Sequence, residues 1–156
     1  MVVSPEMLAA LLLAAAAADG ASAQTAAIQD VADSAALCML ASGKNGVDRS
    51  RFANANWKAT STGLTVFEHV VHPIKIEFPS DKDGIARICT VHATLRSQIE
   101  QKGLAANLAK LLRAKPYDQG TSLVWLVPTK VGTRGIQFFL DKASEQPKVR
   151  LIGAAF

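Results

Sequence analysis

The sequence predicts an α+β domain: an N-terminal helix, a mostly antiparallel sheet of about five strands, and a kinked helical pair between the hairpins. Three observations carry this expectation. Residues 25–43 repeat apolar positions at steps of three and four; residues 70–91 alternate on either side of a turn; residues 121–156 alternate again, after a second helix-spaced stretch.

In the first of these, "TAAIQDVADSAALCMLASG", Ile28, Val31, Ala35 and Cys38 share one helical face. Thr25 fits the N-cap and Gly43 the stop. Cys38 therefore points inward. Residues 43–63 have no period and read as a long loop, with Phe52 and Trp57 embedded in it. Then Val70, His72, Ile74, Ile76 and Phe78 fall on one side of a strand. Pro73 holds His72 in extended backbone and removes a ladder donor, which marks an edge or a break. "PSDKDG" is a turn, with Asp81 and Asp83 as turn formers, and "IARICTVH" returns, so 74–78 pairs with 85–91.

The second helical stretch holds two apolar groups. Leu95 and Ile99 lie roughly opposite Leu104, Leu108, Leu111 and Leu112 at about 100° per residue. One straight helix does not bury both, so Gly103 is read as a cap or kink between helices at 94–102 and 104–113. "TSLVWLVP" and "GIQFFL" read as strands joined by a glycine-containing loop, and "KVRLIGAAF" as a last strand that must be paired or buried up to Phe156. No internal repeat is visible.

The chain begins with a different kind of segment. Residues 8–18, "LAALLLAAAAA", are apolar without a break but too short for the roughly 20 residues a bilayer needs. Ala21 and Ala23 follow at signal-peptidase spacing, so residues 1–23 read as a signal peptide and Gln24 as the mature start. Glu6, and the lack of Lys or Arg before the apolar run, fit a true start at Met7 better than at Met1. The alanine-rich character suggests a bacterial export signal. The expected product is a periplasmic or secreted single domain, 24–156, with no membrane span once the signal is removed.

Loss of Glu6 and Asp19 leaves eleven acidic residues against seventeen basic ones, a mature charge of +6. The basic residues are scattered and have no interleaved aromatics. That favours solubility and weak attraction to anionic envelope polymers over specific nucleic-acid binding. Two cysteines, an even count in an exported chain, read as a Cys38–Cys89 disulfide. Closing a loop of about 50 residues stabilises by about 4 kcal/mol in the chain-entropy account. This reading competes with a reactive cysteine or a metal ligand in "CTVH". A nucleophile needs a free thiol of lowered pKa, and zinc needs further ligands.

Nothing else in the sequence specifies chemistry. His69 and His72 form H-x-x-H, which on a strand points to opposite faces. No phosphate loop, dinucleotide fingerprint, nucleophile elbow, zinc-protease helix or calcium loop occurs, and no cofactor is expected. The loop "RSRFANANWK" combines guanidinium, amide and aromatic groups. Arg49, Arg51, Asn56, Trp57 and Lys58 are therefore the candidate ligand contacts, set against the plainer role of Phe52 and Trp57 as anchors to the core. The expected function is that of a small exported binding protein without evident catalysis. Its partner would be an envelope protein or an anionic or glycan polymer. The alternative is an envelope hydrolase or other enzyme using His69, His72 or His92, and the mark of that alternative would be a histidine within reach of a carboxylate in a cleft.

Overall fold

The computed structural model describes residues 24–156, so residues 1–23, read as a signal peptide, and the expected cleavage after Ala23 lie outside the described residues. Helix α1 (Ile28–Ala41) leads through a short 3₁₀ turn (Arg49–Phe52) into β1 (Trp57–Ala59), β2 (Val66–His69), β3 (Lys75–Glu77) and β4 (Cys89–Thr94). Helix α2 (Gln98–Leu112) then precedes β5 (Tyr117–Asp118), β6 (Ser122–Thr129), β7 (Gly132–Phe139) and β8 (Lys148–Ala155). All eight strands form one sheet in the order β1-β2-β3-β4-β8-β7-β6-β5, with every neighbouring pair antiparallel. The order reads as two α-β-β-β-β halves related by exchange, with β4 and β8 meeting at the centre.

Strand alternation assigns the two faces. Cys89, Val91, Ala93, Val149, Leu151, Ile136 and Phe138 are buried beneath the helices. Their neighbours Thr90, His92, Lys148, Arg150 and Ile152 belong to the opposite face. Helix α1 lies directly over the central pair. A Cβ on Gly153 would sit 2.6 Å from the Met39 backbone nitrogen, so the helix approaches β8 closely only because this position is glycine. Cys38 and Cys89 are joined by a disulfide at this contact, with Cα atoms 5.3 Å apart and both residues fully buried. The Ser42 hydroxyl donates to the Gly153 carbonyl at 2.7 Å. The Arg134 guanidinium donates to the last carbonyls of α1, those of Met39, Leu40 and Ser42, where positive charge suits the helix dipole.

Two features of the expected fold are corrected. The sheet has eight strands rather than about five. Strands β1 and β5 are only three and two residues long, too short to show a period, and β1 lies within the stretch read as loop. The extended stretch 64–80 holds two strands, β2 and β3, separated by a reversal at 70–74, which is the break that Pro73 allows. The pairing of the following hairpin holds, with Ile76 opposite Val91, but the return strand starts at Cys89 rather than 85. The turn "TKVGTRG" is also tighter than read: β7 already begins at Gly132.

The kinked helical pair is one continuous helix. Leu95 is not part of it; its N–H donates to the Pro147 carbonyl, and its side chain is buried as an extension of β4. Ile99 is 80% exposed. A single buried stripe through Gln101, Leu104 and Leu108 therefore remains, and the conflict between two opposed groups disappears. Ser97 caps the start by accepting from the Glu100 N–H at 3.3 Å, while the Glu100 carboxylate accepts from the Arg96 N–H at 2.9 Å. The left-handed residue at the end is Arg113, not Gly103. Helix α1 likewise starts later than a Thr25 cap implies. Residues 24–27 are not helical, the N-cap is Ala27, and the Ala26 N–H donates to the Thr94 carbonyl at 2.9 Å.

The two glycines under the helices should respond to alanine with opposite signs. At Gly103, inside α2, the added methyl meets only the flexible Ile28 Cδ1, at 3.3 Å. Gly103→Ala is expected to stabilise by up to about 1 kcal/mol through helix propensity. Gly153→Ala drives a methyl into backbone and is expected to cost about 3 kcal/mol. Chemical denaturation of the two variants measures both.

Candidate functional site

A cleft of about 600 Å³ opens at one end of the sheet and is lined by all three histidines. It forms because β3 stops pairing with β4 at Lys75 opposite His92, while β4 continues to Thr94. One wall is the reversal between β2 and β3. The His69 N–H donates to the Ile74 carbonyl at 3.0 Å. Pro73 sits at the centre of a three-residue turn closed by the Ile74 N–H on the His72 carbonyl, 2.8 Å. Pro73 thus sits at a break in the extended chain, the second of the two roles its missing donor implies.

The reversal brings His69 and His72 together rather than sending them to opposite faces. Their ring centroids are 4.5 Å apart. His69 Nδ1 accepts the backbone N–H groups of Val71 and His72 at 3.1 and 3.0 Å, so its own proton sits on Nε2. The Trp57 ring meets His69 edge to face at 4.9 Å. His72 Nδ1 lies 3.4 Å from the Asp30 carboxylate on α1. Burial, and secondarily the adjacent His72, hold the His69 pKa below its ordinary value, while Asp30 opposes the shift.

His92 enters the cleft from β4, between Lys75 on β3 and Arg150 on β8. Its Nε2 lies 3.0 Å from Glu77 Oε2. Lys75 Nζ contacts the other Glu77 oxygen at 2.7 Å. The hydrogen bond from Lys75 is the chief cause that holds the Glu77 carboxyl below its usual range; burial opposes it and His92 adds to it. Lys148 and Arg150 complete the cationic side. Among the described residues neither is in an ion pair, and Arg150 stacks on Phe139 at 4.2 Å. These two cations were not legible as site residues: on "KVRLI" they are simply the outward positions opposite Val149 and Leu151.

The loop candidates divide. Arg49 and Trp57 border a second hollow of about 470 Å³, floored by Phe52 and Phe67. Arg49 Nε donates to the Leu64 carbonyl at 3.0 Å. Arg51 pairs with Asp48 at 3.4 Å, and Lys58 is exposed on the edge strand. The Asn56 carbonyl accepts from the Val70 N–H, tying the loop to the cleft wall. Trp57 packs edge-on against Phe52 as well as His69 and is partly buried against the core. Cys89 and His92 of "CTVH" lie on opposite faces of β4, and Cys89 is held in the disulfide. Among the described residues no three His, Cys, Asp or Glu side chains converge as a metal-binding group.

The Trp57 ring spans the loop and the histidine pair, so Trp57→Ala is expected to cost about 3 kcal/mol in thermal or chemical denaturation, as for a truncated core aromatic. The His69 arrangement has a pH signature. The folded protein holds this imidazole neutral more strongly than the unfolded chain does. Its contribution is therefore full above the unfolded pKa of about 6.5 and is lost as pH falls through that value toward the folded one. Asp30 and Asp33 on α1 and His72 in the turn border the same space. Wild-type melting temperature should drop between neutral pH and pH 5. His69→Asn, whose short side chain also accepts from the following backbone N–H groups, should flatten that drop; an unchanged slope would assign it to another group.

The comparisons add no relative: no protein-family model, no curated protein and no solved structure matches this chain.

Proposed function

We propose that this chain is a small exported, disulfide-stapled binding protein whose ligand is an anion seated in the histidine cleft. The anion is either free or a charged group of an envelope or glycan polymer. The observation that carries this reading is the convergence of Lys148 and Arg150, without ion pairs among the described residues, on a cleft whose histidines donate or accept as needed. The buried Cys38–Cys89 bond belongs to an oxidising compartment. The apolar residues 8–18 and the Ala21–Ala23 spacing add the route to it. The hollow beside Arg49 and Trp57 is a secondary contact area on the same reading, continuous with the cleft wall through Trp57.

A second reading is supported by one observation. His92, which lines the cleft, lies 3.0 Å from Glu77 beside it, the arrangement of an oriented general base. Against it, Glu77 is shared with Lys75, and among the described residues Thr94 is the one hydroxyl side chain that lines the cleft.

Titration of the exported protein with inorganic phosphate, followed by side-chain NMR of the histidines and arginines, tests the first reading. His92 and Arg150 signals should shift in a saturable, salt-sensitive way. A Lys148→Ala, Arg150→Ala double variant should bind at least about tenfold more weakly, the loss of about 1.4 kcal/mol expected for two charge-assisted contacts. No saturable shift would overturn the reading. The enzyme reading instead expects turnover of a small ester or phosphoester that His92→Gln abolishes. Intact mass of the same preparation checks the export route, with a chain beginning at Gln24 expected.

A further inference from the structure

We infer that the cleft takes an amphipathic anion, a carboxylate carrying an apolar chain; this rests on the anion-binding reading and names its ligand class. The apolar half of the cleft is the wall formed by the β2–β3 turn. Val70 and Val71 are 54% and 75% exposed, yet they are not a fraying tip. The Val70 N–H donates to the Asn56 carbonyl at 2.9 Å, and the Val71 N–H to His69 Nδ1 at 3.1 Å. The chain therefore holds two β-branched apolar side chains in water at the border of a cavity. That is an unfavourable arrangement unless something covers them.

Pro73 continues this apolar wall at the surface, while Ile74 and Val149, which also border the cleft, are themselves buried and form its floor. Lys148 and Arg150 line it as well, and among the described residues Glu68 is the one carboxylate that does. A ligand that is only an anion leaves the valines uncovered. A ligand that is only apolar leaves Lys148 and Arg150 without an anionic counterpart. A carboxylate with a chain of several methylenes satisfies both, and a volume of about 600 Å³ is in the range of small-molecule sites. A concave site of this kind suits a single chain rather than a flat lipid surface.

The test is a homologous series of straight-chain carboxylates, from acetate to octanoate below its micelle concentration, titrated into the exported protein by calorimetry. Each methylene that is buried should tighten binding by up to about fourfold, so octanoate should exceed acetate by well over tenfold. Neutral octanol should bind more weakly than octanoate. A Val70→Ser, Val71→Ser variant, at two exposed positions and so expected to keep its melting temperature, should lose the chain-length dependence but keep phosphate affinity. Phosphate and acetate binding as tightly as octanoate would overturn this inference and leave the anion reading standing. Failure of phosphate and all carboxylates would overturn both. Binding to phosphatidylglycerol vesicles without binding to monomeric octanoate would overturn it in favour of a membrane surface.

Discussion

The contact of α1 with the central strands is the constraint on which the rest of the architecture depends. Gly153 lets the helix backbone come within contact of β8, and the Cys38–Cys89 bond closes the other side of the same junction onto β4. Between them the helix is fixed against both strands of the central pair. Arg134 and Ser42 then satisfy carbonyls at the helix end. Once α1 is set, Asp30 on its first turn is set against His72, some distance from the disulfide along the same helix. Packing at the core thus determines electrostatics at the cleft.

The cleft itself is built from a local accommodation. A reversal centred on Pro73 has several backbone N–H groups to satisfy, and a histidine side chain, rather than the usual Asn or Asp, accepts two of them. That choice makes the wall both structural and titratable. It also explains why His69 is not free to act as a base through Nδ1, whereas His92, whose Nε2 faces Glu77, retains an oriented ring without a backbone duty.

What could be read in the sequence follows element length and alternation. The N-terminal helix and the long strands β4, β6 and β8 were legible because their apolar patterns run for six residues or more. The disulfide was legible from an even cysteine count and the inward face of Cys38. Strands of two or three residues leave no period, so β1 and β5 were hidden. The helix after β4 has one apolar stripe once Leu95 is assigned to the extension of β4; the Ser97 cap on the Glu100 N–H, a Ser-x-x-Glu spacing present in the sequence, marks the start. The cleft was hidden for a different reason. Its residues come from the β2–β3 turn, β3, β4 and β8, and only sheet order brings Lys75, His92 and Arg150 side by side. The repeat of two similar halves was invisible as well, because it is a repeat of topology and not of residues.

The sheet order has a consequence for how the chain acquires its shape. Seven strand pairings hold the sheet together, and six of them join strands consecutive within one half; the seventh, β4 with β8, joins positions as far apart as Cys89 and Gly153. The disulfide joins two segments of the first half alone. That half can therefore pair its strands and oxidise its cysteines before β8 has arrived. Long-range pairing is the slow part of building such a sheet. Closure of the central seam is thus the late event, and until then β4 presents an open edge to any neighbouring chain. A chain built this way depends on timely oxidation less than on timely arrival of β8.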